Sequence, residues 1–285
     1  MSYKDELKRT LAKHGFRFSK SMGQNFLIDP AIPCAIAENA RVDEETGVLE
    51  IGPGIGILTR ELAERAGKVT SVELDRRLLP ILSETLHHHK NVIIVPGDIM
   101  MLDLDALIRE NMPEMARYAV CANLPYNITT PVLTRLYESH LFDTVTVMVQ
   151  REVAQRMVAK AGSPDYGAFT VFTAYYAEGE ILFDVPPESF MPPPKVTSSV
   201  IRLSMRKAPP EGIEDTALFF RVVRASFAQR RKTLVNSLAG AFGGLDKEGL
   251  REAVLSCGFD ERIRGEMLSL ADFTALAAAI GEKMA

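Results

Sequence analysis

Val48 to Leu62 reads VLEIGPGIGILTREL. A short apolar run leads into Gly52, Gly54 and Gly56, one glycine at every second position, and a segment with helical spacing follows. Glycines between a strand and a helix permit a tight turn and let the backbone approach a ligand closely. Strand, glycine loop and helix in that order open an α/β sheet that holds a nucleotide-like ligand at its strand ends. The spacing is not G-x-G-x-x-G, because Ile57 follows Gly56, so a dinucleotide pyrophosphate is not the favoured guest.

Outward from the loop the alternation repeats. GVLEIG (47–52), KVTSVEL (68–74), NVIIVPGD (91–98), YAVCANLP (118–125) and TVTVMVQ (144–150) read as strands. ILTRELAERA (57–66), RLLPILSETL (77–86), the stretch from Pro131 to Ser139 and REVAQRMVAK (151–160) read as helices. Nearly all-apolar strands are buried on both faces, which predicts a parallel sheet between helical layers, an α/β fold. Ligands in such sheets bind beyond the carboxyl ends of the strands. Glu73, Asp98 and Asn123 stand at successive strand ends. An acid after the second strand, here Glu73, suits ribose hydroxyls.

The fourth strand ends in NLPYNITTP, Asn123 to Pro131. An amino group conjugated to a purine ring is a poor nucleophile, because its lone pair is delocalised. Two acceptors aimed at its N–H bonds favour pyramidal geometry and localise that pair. The Asn123 side-chain oxygen and the Leu124 carbonyl are the two candidates, and Pro125 stiffens the position of that carbonyl. Tyr126 offers a face for stacking, worth about 1–3 kcal/mol per base. The bland alternative is a strand terminator followed by an Asn turn. Cys121 beside the motif reads as strand packing, and the adjacent His87, His88 and His89 cannot converge on one metal, so no metal is expected.

Beyond residue 160 the pattern changes. AFTVFTAYYAE (168–178) reads as a helix, with strand left open by its aromatics, and EILFDVP (180–186) and TSSVIRLSM (197–205) read as strands. PESFMPPPK between them is stiffened by proline and carries Phe190. KAPPEGIE (207–214) has linker composition, and helical segments follow at 216–228, 231–241, 246–256 and 271–281. The expected division is a first domain over 1–207, with a basic N-terminal segment that includes a short helix from Lys4 to His14, and a small helical domain over 208–285.

Composition is that of an ordinary globular protein, 47% hydrophobic and 25% charged over 285 residues. Cys34, Cys121 and Cys257 are far apart among apolar residues and read as buried thiols of a reducing compartment. No apolar run reaches membrane-spanning length, and MSYKDELKRTLAKHG lacks the apolar core of a signal peptide, so a cytoplasmic protein without a membrane partner is expected. Net charge is -4, yet residues 1–24 hold six Lys/Arg against two acids and residues 195–235 nine against three. These basic segments are either a phosphate-binding surface or solvated helix faces. Arg221, Arg224, Arg230, Arg231 and Lys232 are the candidate phosphate contacts, with Arg221 and Arg224 spaced to share a helix face.

E-x-G-x-G-x-G resembles the loop of class I S-adenosylmethionine-dependent methyltransferases, in which the acid at the Asp98 position accepts from the cofactor's adenine amino group. A turn or N-cap role is the alternative for Asp98, beside Gly97. N-L-P-Y resembles the motif of the ribosomal RNA adenine dimethyltransferases. GQNFLIDP (23–30), MVQREVAQRM (148–157), the F-x-V-P-P-x-x-F-x-P-P-P-K-V-x-S-x-V pattern (183–200) and FAQRRKTLVNSL (227–238) carry the likeness over nearly the whole chain. The resemblance implies a Rossmann-like methyltransferase domain with a small C-terminal helical domain. It implies S-adenosylmethionine held by Asn25, Leu27, Gly52, Gly54, Glu73, Asp98 and Asn123, and chemistry at Asn123, Leu124, Pro125, Tyr126 and Phe190. Phe190 either sandwiches a flipped base against Tyr126 or pins its loop to the core. The long PPESFMPPPKV connection and QRRKTL favour the small-subunit branch. Such an enzyme dimethylates N6 of two adjacent adenosines in the 3′-terminal hairpin of 16S rRNA, in an immature 30S subunit, as a monomer that also serves subunit maturation. The alternatives are an Erm-type 23S rRNA methyltransferase and a non-catalytic assembly or transcription factor on the same fold. Val235, where arginine is common in the family, slightly weakens the RNA-contact expectation.

Overall fold

The computed structural model describes residues 3–19 and 22–284. Lys20, one of the basic residues near the N-terminus, lies outside them. In chain order the elements are α1 (Tyr3–Lys13), β1 (Phe26–Leu27), α2 (Ala31–Asn39), β2 (Thr46–Ile51), α3 (Ile57–Ala63), β3 (Lys68–Glu73), α4 (Leu79–Thr85), β4 (Val92–Pro96), α5 (Leu104–Asn111), β5 (Arg117–Asn123), α6 (Thr129–Ser139) and β6 (Thr144–Gln150). Then come α7 (Arg151–Met157), α8 (Ala168–Tyr176), β7 (Ala177–Val185), β8 (Phe190–Met191), β9 (Ser198–Met205), α9 (Thr216–Ala228), α10 (Leu234–Ala239), α11 (Lys247–Ser256) and α12 (Leu270–Met284).

Seven strands form one sheet in the order β4-β3-β2-β5-β6-β9-β7. β2 lies between β3 and β5, and the pairs β2/β3, β3/β4, β2/β5 and β5/β6 are all parallel, while β9 runs antiparallel to β6. β2 is buried along its whole length, which explains its unbroken apolar character. The chain order reverses between β2 and β5, so the carboxyl ends of these neighbours open a crevice. A second, two-stranded sheet pairs β1 with β8, Phe26 opposite Met191 and Leu27 opposite Phe190.

Local signals account for the elements. Asp103 caps α5 by accepting from the N–H groups of Asp105 and Ala106, and Leu104, Leu107 and Ile108 bury one face. This helix is an addition to those expected from the sequence. Pro80 sits in the first turn of α4 and leaves the helix unbroken, because the missing N–H is an orphan there. α1 buries Leu7 and Leu11 in a cluster with Ile55, Ile57, Leu78, Ile81, Leu82 and Leu86. Lys13 and His14 both reach Glu84, at 2.6 and 2.8 Å. Cys121 is buried, whereas Cys34 and Cys257 are half-buried, a departure from the expectation of three buried thiols.

The chain divides into two compact units. One comprises Met1–Ala154 and Glu180–Met205, the other Gln155–Gly179 and Arg206–Ala285. The expected single break at 207 differs from this, because α8 belongs with the second unit. Its Phe172, Tyr175 and Tyr176 pack against Phe220 of α9, with ring centroids 4.8–6.1 Å apart, and the Tyr166 hydroxyl donates to the Leu268 carbonyl at 2.6 Å. The strand left open for 168–178 is a helix to Tyr176, and β7 begins at Ala177 rather than Glu180. Among the described residues no helix is long and apolar enough to cross a membrane.

Candidate functional site

A cavity of about 220 Å³ opens at the carboxyl ends of β2, β3 and β5. Its walls come from Met22–Leu27, Glu50–Ile55, Val72–Leu74, Gly97–Ile99 and Asn123–Ile128. Of the residues expected to hold a cofactor, Asn25, Leu27, Gly52, Gly54, Glu73, Asp98 and Asn123 all line it.

The glycine loop begins at Gly52, whose N–H donates to the Val72 carbonyl at 2.9 Å. Gly52 has φ 69°, and a Cβ built there would meet nothing within 4 Å, so it borders open space. Gly54, at φ 62°, faces the Phe26 ring so closely that a Cβ would lie 3.2 Å from it. Both positions therefore exclude a side chain, the first by conformation and the second by conformation and space.

Beneath the loop Glu50 is 1% exposed and accepts from Thr59 Oγ1 and Ser71 Oγ, each at 2.6 Å. Burial pushes its carboxyl up to about 7, against those hydroxyl donors and with the Glu73 charge adding to the rise. Glu73 accepts from the N–H of Asp75 at 2.8 Å and of Gly54 at 3.2 Å, and burial holds its carboxyl above the usual range despite these bonds. With the Leu74 N–H as a third donor, the carboxylate's roughly four acceptor sites still leave room for a further donor. Asp98 accepts from the Met100 N–H at 2.9 Å. The turn role weighed for Asp98 is real, and the residue still lines the cavity. The loop that follows is braced by Arg135 of α6, whose guanidinium donates to the Met100 and Leu102 carbonyls.

At the end of β5, Asn123 Nδ2 donates to the Asn25 carbonyl at 3.2 Å. Only the nitrogen of a carboxamide can donate, so this bond fixes which way the group points and reserves Oδ1 as an acceptor. Asn25 is itself tied by its Nδ2 to the Gly23 carbonyl at 3.2 Å. Leu124 is 1% exposed, and its N–H donates to Met148 O at 3.2 Å, so side chain and backbone are both anchored. The Pro125 carbonyl accepts from Ile128 N–H and Thr129 Oγ1, starting the turn that leads into α6. The Tyr126 hydroxyl lies 2.7 Å from Ser198 Oγ.

Phe190 is not among the residues the structure brings together here. It is 2% exposed in a core cluster with Leu27, Ile36, Val48 and Met148, so its ring pins the loop and is not presented to a base. Met22–Leu27 is held over the cavity by a chain of bonds instead. Gln24 Nε2 donates to Asp75 Oδ2 at 2.8 Å, Gln24 Oε1 accepts from Ser19 N–H at 3.0 Å, and Arg77 pairs with Asp75 at 2.6 Å. Glu50, Thr59, Ser71, Gln24, Arg135 and Ser198 were not singled out from sequence as site residues. Local signals exist for three of them: the acid preceding the first glycine, Gln24 within GQNFLIDP and Ser198 as the fixed serine of the 183–200 pattern.

The second unit carries the basic candidates. Arg221 is engaged within that unit, since its guanidinium lies 4.3 Å from the Phe242 ring centroid and donates to Ala241 O. Arg230 donates to Pro164 O at 3.2 Å and lies 3.8 Å from Glu266. Arg224, Arg231 and Lys232 are exposed, and among the described residues they have no ion pair. Val235 is buried in α10.

The family model for ribosomal RNA adenine dimethylase matches residues 15–267. The ribosomal RNA small subunit methyltransferase A of Geobacillus thermodenitrificans is 48% identical over 276 residues, covering 96% of this chain and 94% of that protein. The protein of the same name from Bacillus licheniformis is 46% identical over 94% of this chain and 93% of its own length. Among solved structures, a dimethyladenosine transferase from Plasmodium falciparum superposes with TM-score 0.75 at 25% identity, over 90% of this chain and 98% of that one. The 23S rRNA methyltransferase ErmE superposes with TM-score 0.69 at 28% identity, over 90% of this chain and all of that one.

Proposed function

The chain belongs to the ribosomal RNA adenine dimethylase family, and from that premise we propose that it is the S-adenosylmethionine-dependent enzyme that dimethylates N6 of two adjacent adenosines in the 3′-terminal hairpin of 16S rRNA. The substrate is an immature 30S subunit, the enzyme acts as a cytoplasmic monomer, and the activity accompanies subunit maturation. The observation that carries this reading is the gathering of Asn123, Pro125 and Tyr126 with Gly52, Glu73 and Asp98 around one cavity. The 46–48% identity to small-subunit enzymes, against 28% to the 23S enzyme, favours the small-subunit substrate.

The residues present fit the cofactor. Gly52 borders open space, Glu73 has acceptor capacity left for ribose hydroxyls, Asp98 suits an adenine amino donor, and Ile51, Leu74 and Ile99 give apolar walls. When bound, the cofactor supplies a methyl group activated on a sulfonium. The chain's own work is alignment and electrostatics. Asn123 Oδ1, held outward by the Asn25 bond, accepts from one N–H of the adenine amine. The Leu124 carbonyl accepts from the other, stiffened by Pro125. In the second transfer a single N–H remains, and one acceptor suffices to orient it. Tyr126 stacks on the flipped base, offsetting part of the few kcal/mol that extrusion costs, about 1–3 kcal/mol. Arg224, Arg231 and Lys232 contact phosphates, with Arg230 beside them in sequence.

The test combines purified protein, labelled S-adenosylmethionine and 30S particles from a strain lacking the modification, followed by mapping of the labelled nucleoside. The expected result is N6,N6-dimethyladenosine at two adjacent small-subunit positions. Label in large-subunit RNA, or none at all, overturns the proposal.

A further inference from the structure

Tyr126 lies half-buried in the turn after β5 and lines the cavity, and its hydroxyl reaches Ser198 at 2.7 Å. Ser198 is the first residue of β9, 0% exposed and paired with Gln150 at the end of β6. Successive strand side chains point to opposite faces. Accordingly the next hydroxyl, Ser199, donates to Asp184 at 2.6 Å. The register of β9 against β6 therefore decides which serine meets the tyrosine, and a slip of one residue would present the other face.

We infer that Ser198 is a positioning residue for the methylation, holding the Tyr126 ring at the place where it receives the target base. This rests on the proposal that Tyr126 stacks on the adenine. A tyrosine held only by its Cα–Cβ bond is free in two torsions. A bond at the far tip of the ring fixes the first, which sets where the ring lies, and couples to the second through the preference of the phenolic O–H for the ring plane. Burial pushes the phenol above its usual range while the Ser198 bond pulls it back, so the hydroxyl stays protonated at neutral pH and serves as an anchor rather than a base. A half-buried hydroxyl without this partner would turn the ring toward solvent to satisfy itself. Ser198 also ends the proline-rich connection after β8, so one residue sets both where that connection re-enters the sheet and how the ring is held.

The inference predicts that Ser198→Ala and Tyr126→Phe each lower kcat for methyl transfer to immature 30S particles by about 3- to 10-fold, the range expected for one neutral hydrogen bond. Cofactor affinity should stay at the wild-type value in both, and Ser198→Thr, which keeps the hydroxyl, should restore kcat. The double variant should be no slower than Tyr126→Phe alone. Additive losses, an equal loss of cofactor affinity, or wild-type kcat in Tyr126→Phe would each overturn it. If Ser198→Ala does not fold, Tyr126→Phe decides alone. Tyr126→Ala separates the inference from its premise. Wild-type turnover there removes the stacking proposal itself, whereas a large loss beside full activity in Tyr126→Phe removes only the role of Ser198.

Discussion

Asn123 has two ends with different duties. Its nitrogen is spent on Asn25 O, and its oxygen is left as an acceptor, the one proposed for the substrate amine. Asn123→Ala should lower kcat by about 100-fold or more with little change in cofactor affinity, measured by single-turnover kinetics and equilibrium titration. Equal losses in both would refute the assigned role. Glu50 offers a second test at this scale. Its carboxyl stands at about 7 in the fold against an ordinary 4.5, so the native protein keeps a proton that the unfolded chain loses between those values. The unfolded state binds fewer protons in that window, and stability therefore falls as pH rises through it. At about 1.4 kcal/mol per unit the effect is about 3 kcal/mol. Glu50→Gln, neutral and similar in shape, should flatten the fall, and urea titrations at about pH 5 and about pH 8 would expose an unchanged slope.

At the scale of elements, α1 acts as a brace behind the glycine loop, since Leu7 and Leu11 share a cluster with Ile55 and Ile57 on either side of Gly56. Leu11→Ala should cost about 2–5 kcal/mol, speed hydrogen exchange across α1 and weaken cofactor binding. Normal exchange protection in α1 would contradict this. The glycine loop and the strand-end residues Glu73, Asp98 and Asn123 were legible because each is a local signal at a strand terminus. α5 was missed although Asp103 and the Leu104, Leu107, Ile108 spacing mark it. The pairing of Phe26–Leu27 with Phe190–Met191 has no local signature at all, being two residues against two from opposite ends of the first unit. Glu50, Thr59 and Ser71 meet only because β2 and β3 pair in register and α3 folds back over them, which no single stretch of sequence reveals.

At the scale of the whole molecule, the linker-like KAPPEGIE hid the membership of 155–179, because the aromatics of α8 find their cover on α9, far along the chain. The same distance effect separates Arg221 from its neighbours in sequence, as Phe242 and Ala241 claim it. Arg224→Glu and Arg231→Glu should each weaken RNA binding, with the slope of log affinity against log salt falling by about 1 for each phosphate no longer neutralised, and leave cofactor affinity unaltered. An unchanged salt slope would return these residues to solvated surface. Arg221→Glu should instead lower the stability of the helical unit.

The Phe26–Leu27 pairing also bears on how the chain is made. Phe26 and Leu27 leave the ribosome early, while their partners Phe190 and Met191 follow more than 160 residues later. At about 5–20 residues per second, the early segment waits roughly 8–33 s for its mate. Leu7 and Leu11 find cover sooner, once Leu78–Leu86 has emerged. The glycine loop, Glu73, Asp98 and Asn123 are therefore all synthesised well before the strand that pairs with Phe26–Leu27.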